Sequence, residues 1–254
     1  MKFPIGPRLG TLLAAASLTA ALVPYAVAAP DSWTAILTDA GRPDTDKARD
    51  PDRKPADMLS FAKLRPGQTI VDFLPGKGYF TRLFSLSVGL RGTVYAVTPQ
   101  VYLDRAKGRP LPPPVSGEPG RGNVHELVAT ADSFGLPKKA DLVWTSQNYH
   151  DVHIWLGASG AAALYKAVFD ALKPGGHYII LDHAGAAGLD DAGMAKMHRI
   201  DEALVKSEVT KAGFVIDGET DVLRNPEDSR SQNVFDPSIR GKTDQFVLRF
   251  RKPG

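Results

Sequence analysis

Five short runs rich in Val, Ile, Leu and aromatic residues recur along the chain: TIVDF at 69–73, TVYAVT at 93–98, VHELVA at 124–129, ADLVWT at 140–145 and GHYIILDH at 176–183. Apolar residues on both faces of such runs, with helical stretches between them, predict a parallel sheet covered on both sides. The fifth run follows the helical pattern SGAAALYKAVFDAL and the helix stop KPGG. Beyond it the rhythm changes. One helix of about twenty residues is expected over MAKMHRIDEALVKSEVTKAGF, leading to FVIDGETDVL and then DQFVLRFRKP. Two final strands with no crossover helix between them pair antiparallel. The expected architecture is Rossmann-like α/β: a seven-stranded, mostly parallel sheet with a C-terminal antiparallel hairpin and helices on both faces.

The N-terminus carries a different signal. Lys2 and Arg8 precede the apolar stretch GTLLAAASLTAALV, and Ala26-Val27-Ala28 places small residues at a signal-peptidase spacing. Residues 1–28 are therefore expected to be an export signal, with a periplasmic or secreted mature chain beginning near Ala29. An uncleaved anchor or a mis-started reading frame is the alternative. Residues 29–64 form a polar, Pro-rich extension with a short helix expected around Ala56 to Phe61, and 65–254 form one domain with a sizeable core. The chain has no cysteine, which excludes disulfides and thiolate metal sites. Its formal charge of +3 includes Lys2 and Arg8. The absence of a basic run interleaved with aromatics argues against nucleic acid as a partner. No second apolar segment is long enough to cross a membrane.

The stretch VDFLPGKGYFT, Val71 to Thr81, reads as a ligand-binding turn between a strand and a helix. Gly76 and Gly78 allow close backbone approach, and a helix starting at Tyr79 points free N–H groups at the ligand. A tight turn that needs glycine for geometry alone is the plainer reading. A dinucleotide turn wants a small residue at Thr81, which is present in size, and an acid near Thr98, which is not. Leu74 stands where such turns place their first glycine.

The glycine turn, the fourth-strand run ADLVWT, the unit LKPGGHYIILDH and the AGF before the sixth strand together resemble the class I S-adenosylmethionine-dependent methyltransferases. PGKGYFT, NYHD, LKPGG, HRID and TDQFVLRF look more particularly like a branch of exported methyltransferase-like proteins. The resemblance covers nearly the whole mature chain. It implies S-adenosylmethionine as cofactor and a small-molecule methyl acceptor. It implies an acid at the end of the first strand, Asp72, that helps position the cofactor, and a polar residue after the third, Asp132, near its adenine. Candidate cofactor contacts are then Asp72, Pro75, Gly76, Lys77, Gly78, Thr98, Asp132 and Asn148. Thr98 departs from the acid that the family carries at the end of its second strand. Asp132 reads equally as a turn or N-cap aspartate.

The chain has six histidines, distributed unevenly. His150 and His153 follow the fourth strand in NYHDVH, and His183 follows Asp182 at the end of the fifth, so these should gather on one rim. His198 is expected within the following helix, its ring oriented by Asp201 and Glu202 at i+3 and i+4. His125 and His177 lie at strand beginnings, away from that rim. Candidate catalytic residues are His150, Asp151 and His183, with His150 or His183 as a general base. A metal held by His150, His153 and Asp182 or His183, or plain hydrogen bonding at strand ends, are the competing readings; no metal ligand is assigned. The loop from Tyr102 to Asn123 is too rich in Pro and Gly for a long crossover helix, and is either a lid or a surface excursion. Asn225, Asp228 and Asp236 lie in a second loop on the ligand face. A non-enzymatic binding protein on the same fold is the rival to an enzyme, and a metal-assisted hydrolase comes third.

Overall fold

The computed structural model describes Met1, residues 33–130 and residues 132–254, so the expected export signal lies, Met1 apart, outside the described residues. Seven strands form one sheet: β1 Thr69–Phe73, β2 Thr93–Pro99, β3 Val124–Ala129, β4 Ala140–Ser146, β5 Leu172–His183, β6 Val215–Thr220 and β7 Gln245–Arg251. Their order is β3-β2-β1-β4-β5-β7-β6. β1 to β5 pair in parallel, and β7 runs antiparallel to both β5 and β6. The expected fold class is observed.

Alternation along each strand builds two cores. Val71, Phe73, Val97, Val143, Ile180 and Leu248 face one side, beneath α7 (Tyr149–Ala171) and α9 (Glu202–Lys211). Ile70, Val94, Leu142, Trp144, Ile179 and Val247 face the other, beneath α4 (Pro55–Phe61) and α5 (Tyr79–Val88). Successive side chains on a strand point to opposite faces, so a run apolar at every position requires cover on both.

The region read as a polar extension is more ordered than expected. Three further helices, α1 Thr34–Leu37, α2 Asp44–Lys47 and α3 Asp50–Arg53, precede α4. Arg42 is buried among them, donating Nη1 to the Leu37 carbonyl at 2.7 Å and pairing both Nη atoms with Asp50. Arg42 and Asp46 fold inward, paired with Asp50 and Arg82, while Asp44, Arg49, Asp52, Lys54 and Asp57 stay exposed.

Three other expectations change. β5 starts at Leu172, because pairing steps from Ala140↔Leu172 to Leu142↔His177 and KPGG bulges out between them. α7 begins at Tyr149, so NYHD opens a helix, which is broken at Gly157 (φ 65°, ψ 177°). The single long helix expected over MAKMHRIDEALVKSEVTKAGF is two: α8 Asp191–Met197 and α9. His198 ends α8 at φ 53°, Ile200 is fully buried and bridges to Ala184, and Asp201 caps α9 by accepting the Ala203 N–H. The break leaves Ile200 free to bridge to Ala184 and enter the core. Among the described residues no helix is long and apolar enough to cross a membrane.

Candidate active site

Strand order reverses between β1 and β4, and in open α/β sheets ligands bind beyond the carboxyl ends at such a point. The glycine turn lies there. Leu74 adopts φ 56°, the left-handed region that favours glycine, as do Gly76 (φ 56°) and Gly78 (φ 79°). Leu74 thus keeps the backbone shape of the missing glycine, at about 1–2 kcal/mol of strain. A Cβ on Gly76 would meet nothing, whereas one on Gly78 would collide with Val115 Cγ2. Val115 sits in a short 3-10 turn (Val115–Gly117) of the Pro-rich loop, behind a seven-residue helix, α6 (Gln100–Ala106). Glu118 in the same loop binds Arg82, which also pairs with Asp46 and donates to the Lys77 carbonyl. The loop is a brace for the turn.

Asp72 is buried at the end of β1, where Thr81 Oγ1 donates to it at 2.6 Å. Burial pushes its carboxyl up to about 7, against the Thr81 hydrogen bond and the Arg53 charge. Arg53 went unnoticed in the sequence. Its guanidinium lies 4.7 Å from the Tyr79 ring centroid, donates to Gln147 Oε1 at 3.0 Å and is brought down to about 10 by burial. At the end of β4, Asn148 donates Nδ2 to the Leu74 carbonyl at 3.1 Å. Asn148 Oδ1, Ser146 Oγ and Arg53 Nε are buried without a partner. Other buried polar atoms among the described residues also lack a partner, Trp144 Nε1 and Tyr165 Oη among them, but these three lie near the carboxyl end of β4 and the turn, where a polar ligand end would satisfy them.

The outer candidates are less enclosed. Thr98 is half-buried at the end of β2, and Pro75 is half-buried in the turn; Gly76, Lys77 and Asp132 are exposed, Asp132 accepting from Thr130 Oγ1 at 2.7 Å. Phe73, Pro99, Val101, Val152, Trp155 and Leu156 line an apolar crevice of about 30 Å3 between β1, α6 and α7. That is room for roughly one water.

The histidine rim divides in two. His150 and His183 gather with Asp182 as expected: His150 Nδ1 lies 2.9 Å from Asp182 Oδ1, and the rings of His150 and His183 are 6.3 Å apart. Burial opposes charge on His150, but Asp182 holds it above its ordinary value. Burial takes His183 down to about 4, with Nδ1 bonded to Thr243 Oγ1. His153 instead turns to Glu208 on α9, its Nε2 at 2.7 Å, so the metal set built on His150 and His153 is not assembled. His198 does not lean on Asp201 or Glu202, because the helix breaks there. Its Nδ1 lies 3.3 Å from His150 Nε2. Asp228 is taken by the buried Arg199, while Asn225 donates Nδ2 to the Lys242 carbonyl and its backbone N–H to Asp244 Oδ1, so both brace their loop.

No protein-family model matches the sequence, and no curated protein does. Solved structures do match. A SAM-dependent methyltransferase from Aquifex aeolicus aligns with a TM-score of 0.51 over 83% of this chain and 98% of its own, at 20% identity. Another from Mesorhizobium loti aligns with a TM-score of 0.50 over 79% and 98%, at 18% identity. The fold is that of the class I methyltransferases. The methyltransferase fold does not fix the chemistry: the [4+2]-cyclase SpnF aligns equally well, with a TM-score of 0.52 over 80% of each chain at 17% identity.

Proposed function

We propose that this protein binds S-adenosylmethionine at the turn after β1 and transfers its methyl group to a small-molecule acceptor in the cell envelope. The observation that carries the reading is the set of unpartnered polar atoms on Asn148, Ser146 and Arg53, grouped where strand order reverses. Asp72, Pro75, Gly76, Lys77 and Gly78 would line the cofactor at the turn, with Thr98, Asp132 and Asn148 at the neighbouring strand ends. When bound, the cofactor supplies a methyl group already activated on a sulfonium. The protein's share is alignment and proton handling. His150, Asp151 and His183 make the acceptor end. Asp182 takes the His150 Nδ1–H, which leaves Nε2 as the atom that receives the acceptor's proton.

The second reading, a binding protein without catalysis, draws on Leu74 and on the small volume of the apolar crevice. Calorimetry on the mature chain separates the two. S-adenosylmethionine should bind and NAD should not, and Gly76→Val should abolish binding, because a branched residue resists φ 56°. Equal binding by the variant would move the ligand away from this turn. No binding by the parent would favour the second reading.

A further inference from the structure

We propose that His150 Nε2, His198 Nδ1 and Asp151 Oδ1 form a binding site for one divalent transition-metal ion of the zinc class. The two ring nitrogens are 3.3 Å apart, and Asp151 Oδ1 is 3.7 Å from each. A point about 2.1 Å from all three atoms lies between them, which is the length of a zinc bond to imidazole or carboxylate, about 2.0–2.2 Å. Ligand atoms on such bonds at tetrahedral angles stand roughly 3.3 Å apart. The triangle therefore needs a few tenths of an ångström of closure, on the order of ordinary side-chain adjustment. Three ligands leave the fourth position open.

The surroundings favour an ion over a simple hydrogen-bonded cluster. Asp182 fixes the His150 tautomer by accepting its Nδ1–H, which aims the Nε2 lone pair into the cluster. A carboxylate behind a ligating imidazole is the usual supporting arrangement of metal sites. Asp151 is too far from both rings to hydrogen-bond either, at 3.7 Å. His198 reaches the cluster only because α8 ends on it at φ 53°, an uncommon conformation for a non-glycine residue and a form of strain that collects at functional sites. The Phe235 ring packs edge-on to His198 with centroids 4.9 Å apart and walls one side. Entry is from the other. The side chains of His198 and Asp151 are 29% and 22% exposed, while His150 is 3% exposed.

The site shares His150 Nε2 and Asp151 with the acceptor end proposed above, but it is argued from the geometry of the cluster alone and stands if the methyl-transfer reading fails. Where both hold, the His150 lone pair is committed to the ion in the loaded protein. An acceptor hydroxyl at the open position would then be acidified by the ion and would lose its proton to solvent through the exposed side of the cluster.

The test uses the mature protein stripped with a chelator, desalted and reloaded with Zn2+ or Co2+. Bound metal is measured by mass spectrometry, and the cobalt form by visible absorption. One equivalent of zinc should remain after gel filtration, cobalt should give the visible bands of a low-coordinate nitrogen and oxygen site, and zinc should raise the melting temperature. His198→Asn, chosen because asparagine tolerates the left-handed conformation, and Asp151→Asn should each weaken zinc binding by roughly tenfold or more. His153→Gln, whose ring faces Glu208, should bind as the parent does. Substoichiometric metal in the parent, or parental affinity in Asp151→Asn, overturns the proposal. Should His198→Asn melt early without metal, the Asp151→Asn titration and the parent's cobalt spectrum decide. Each reads metal and not methyl transfer, so loss of the catalytic reading leaves the result intact.

Discussion

The Asp182 carboxylate accepts both the backbone N–H and the ring Nδ1–H of His150, each at 2.9 Å, so one residue sets the other's position and tautomer. His150→Ala should leave S-adenosylmethionine affinity within about threefold while lowering turnover by roughly 10² to 10⁴. It also removes one ring hydrogen bond from a buried carboxylate that keeps two backbone N–H donors, so denaturant unfolding should show a loss of about 1–3 kcal/mol. Calorimetry and methyl incorporation into envelope extract, both well below the variant's melting point, check the first two. Unchanged turnover would leave His150 with a structural role.

Asp72 predicts a pH dependence of stability. Its carboxyl is raised to about 7 by burial, with Thr81, Arg53 and Glu126 as the groups that act on it. The folded state then holds a proton that the unfolded state releases above pH ~4, so stability falls as pH rises from about 4 to 7 and is level above. The ceiling on this loss is about 4 kcal/mol. Asp72→Asn can still accept from Thr81 and carries no charge. Urea melts at pH 5 and pH 8 should show a larger fall in the parent than in the variant, whose own change reports the histidines, with buried His183 acting in the opposite direction.

Gly78 and Val115 should behave as a coupled pair. Gly78→Ala meets Val115 Cγ2 and holds φ 79°, so a loss of roughly 2–4 kcal/mol is expected. Adding Val115→Ala should recover the steric part and leave the backbone part. A double-mutant cycle on chemical denaturation reads the coupling directly; strict additivity would mean the loop does not press on the turn.

Arg82 connects three segments: Asp46 on α2, Glu118 in the Pro-rich loop and the Lys77 carbonyl in the turn. Arg82→Ala should cost roughly 3 kcal/mol. Hydrogen exchange should speed up at residues 44–53 and 115–121 together, and exchange confined to one of them would deny the link.

The strands were legible because runs such as TIVDF and ADLVWT carry their burial in composition: every position of β1 is buried. The turn was legible through Gly76 and Gly78, whereas Leu74, read only as a departure from the first glycine, takes that glycine's left-handed shape. What escaped notice was what distant residues impose. HRIDE contains no proline or glycine, yet the helix stops there, with His198 left-handed and Ile200 buried against Ala184. Asp201 as an N-cap was the available signal, and with it His198 would have been freed from the helix. Arg53 sits in a stretch whose composition reads as solvated, and nothing local announces that its charge turns inward over Tyr79 and Phe80.

The position of β7 has a consequence for how the chain can be made. The last strand in sequence lies between β5 and β6, touching both, and β6 touches no other strand. Until residues 245–251 emerge, β5 presents an open edge and Val215 and Ile216 have nothing to pair with. The sheet cannot be completed in the order of synthesis, since its sixth position waits for its seventh strand. Late, long-range closure of this kind slows folding and prolongs the exposure of unpaired edges. Losing residues 245–251 would therefore cost the sheet two strands and not one.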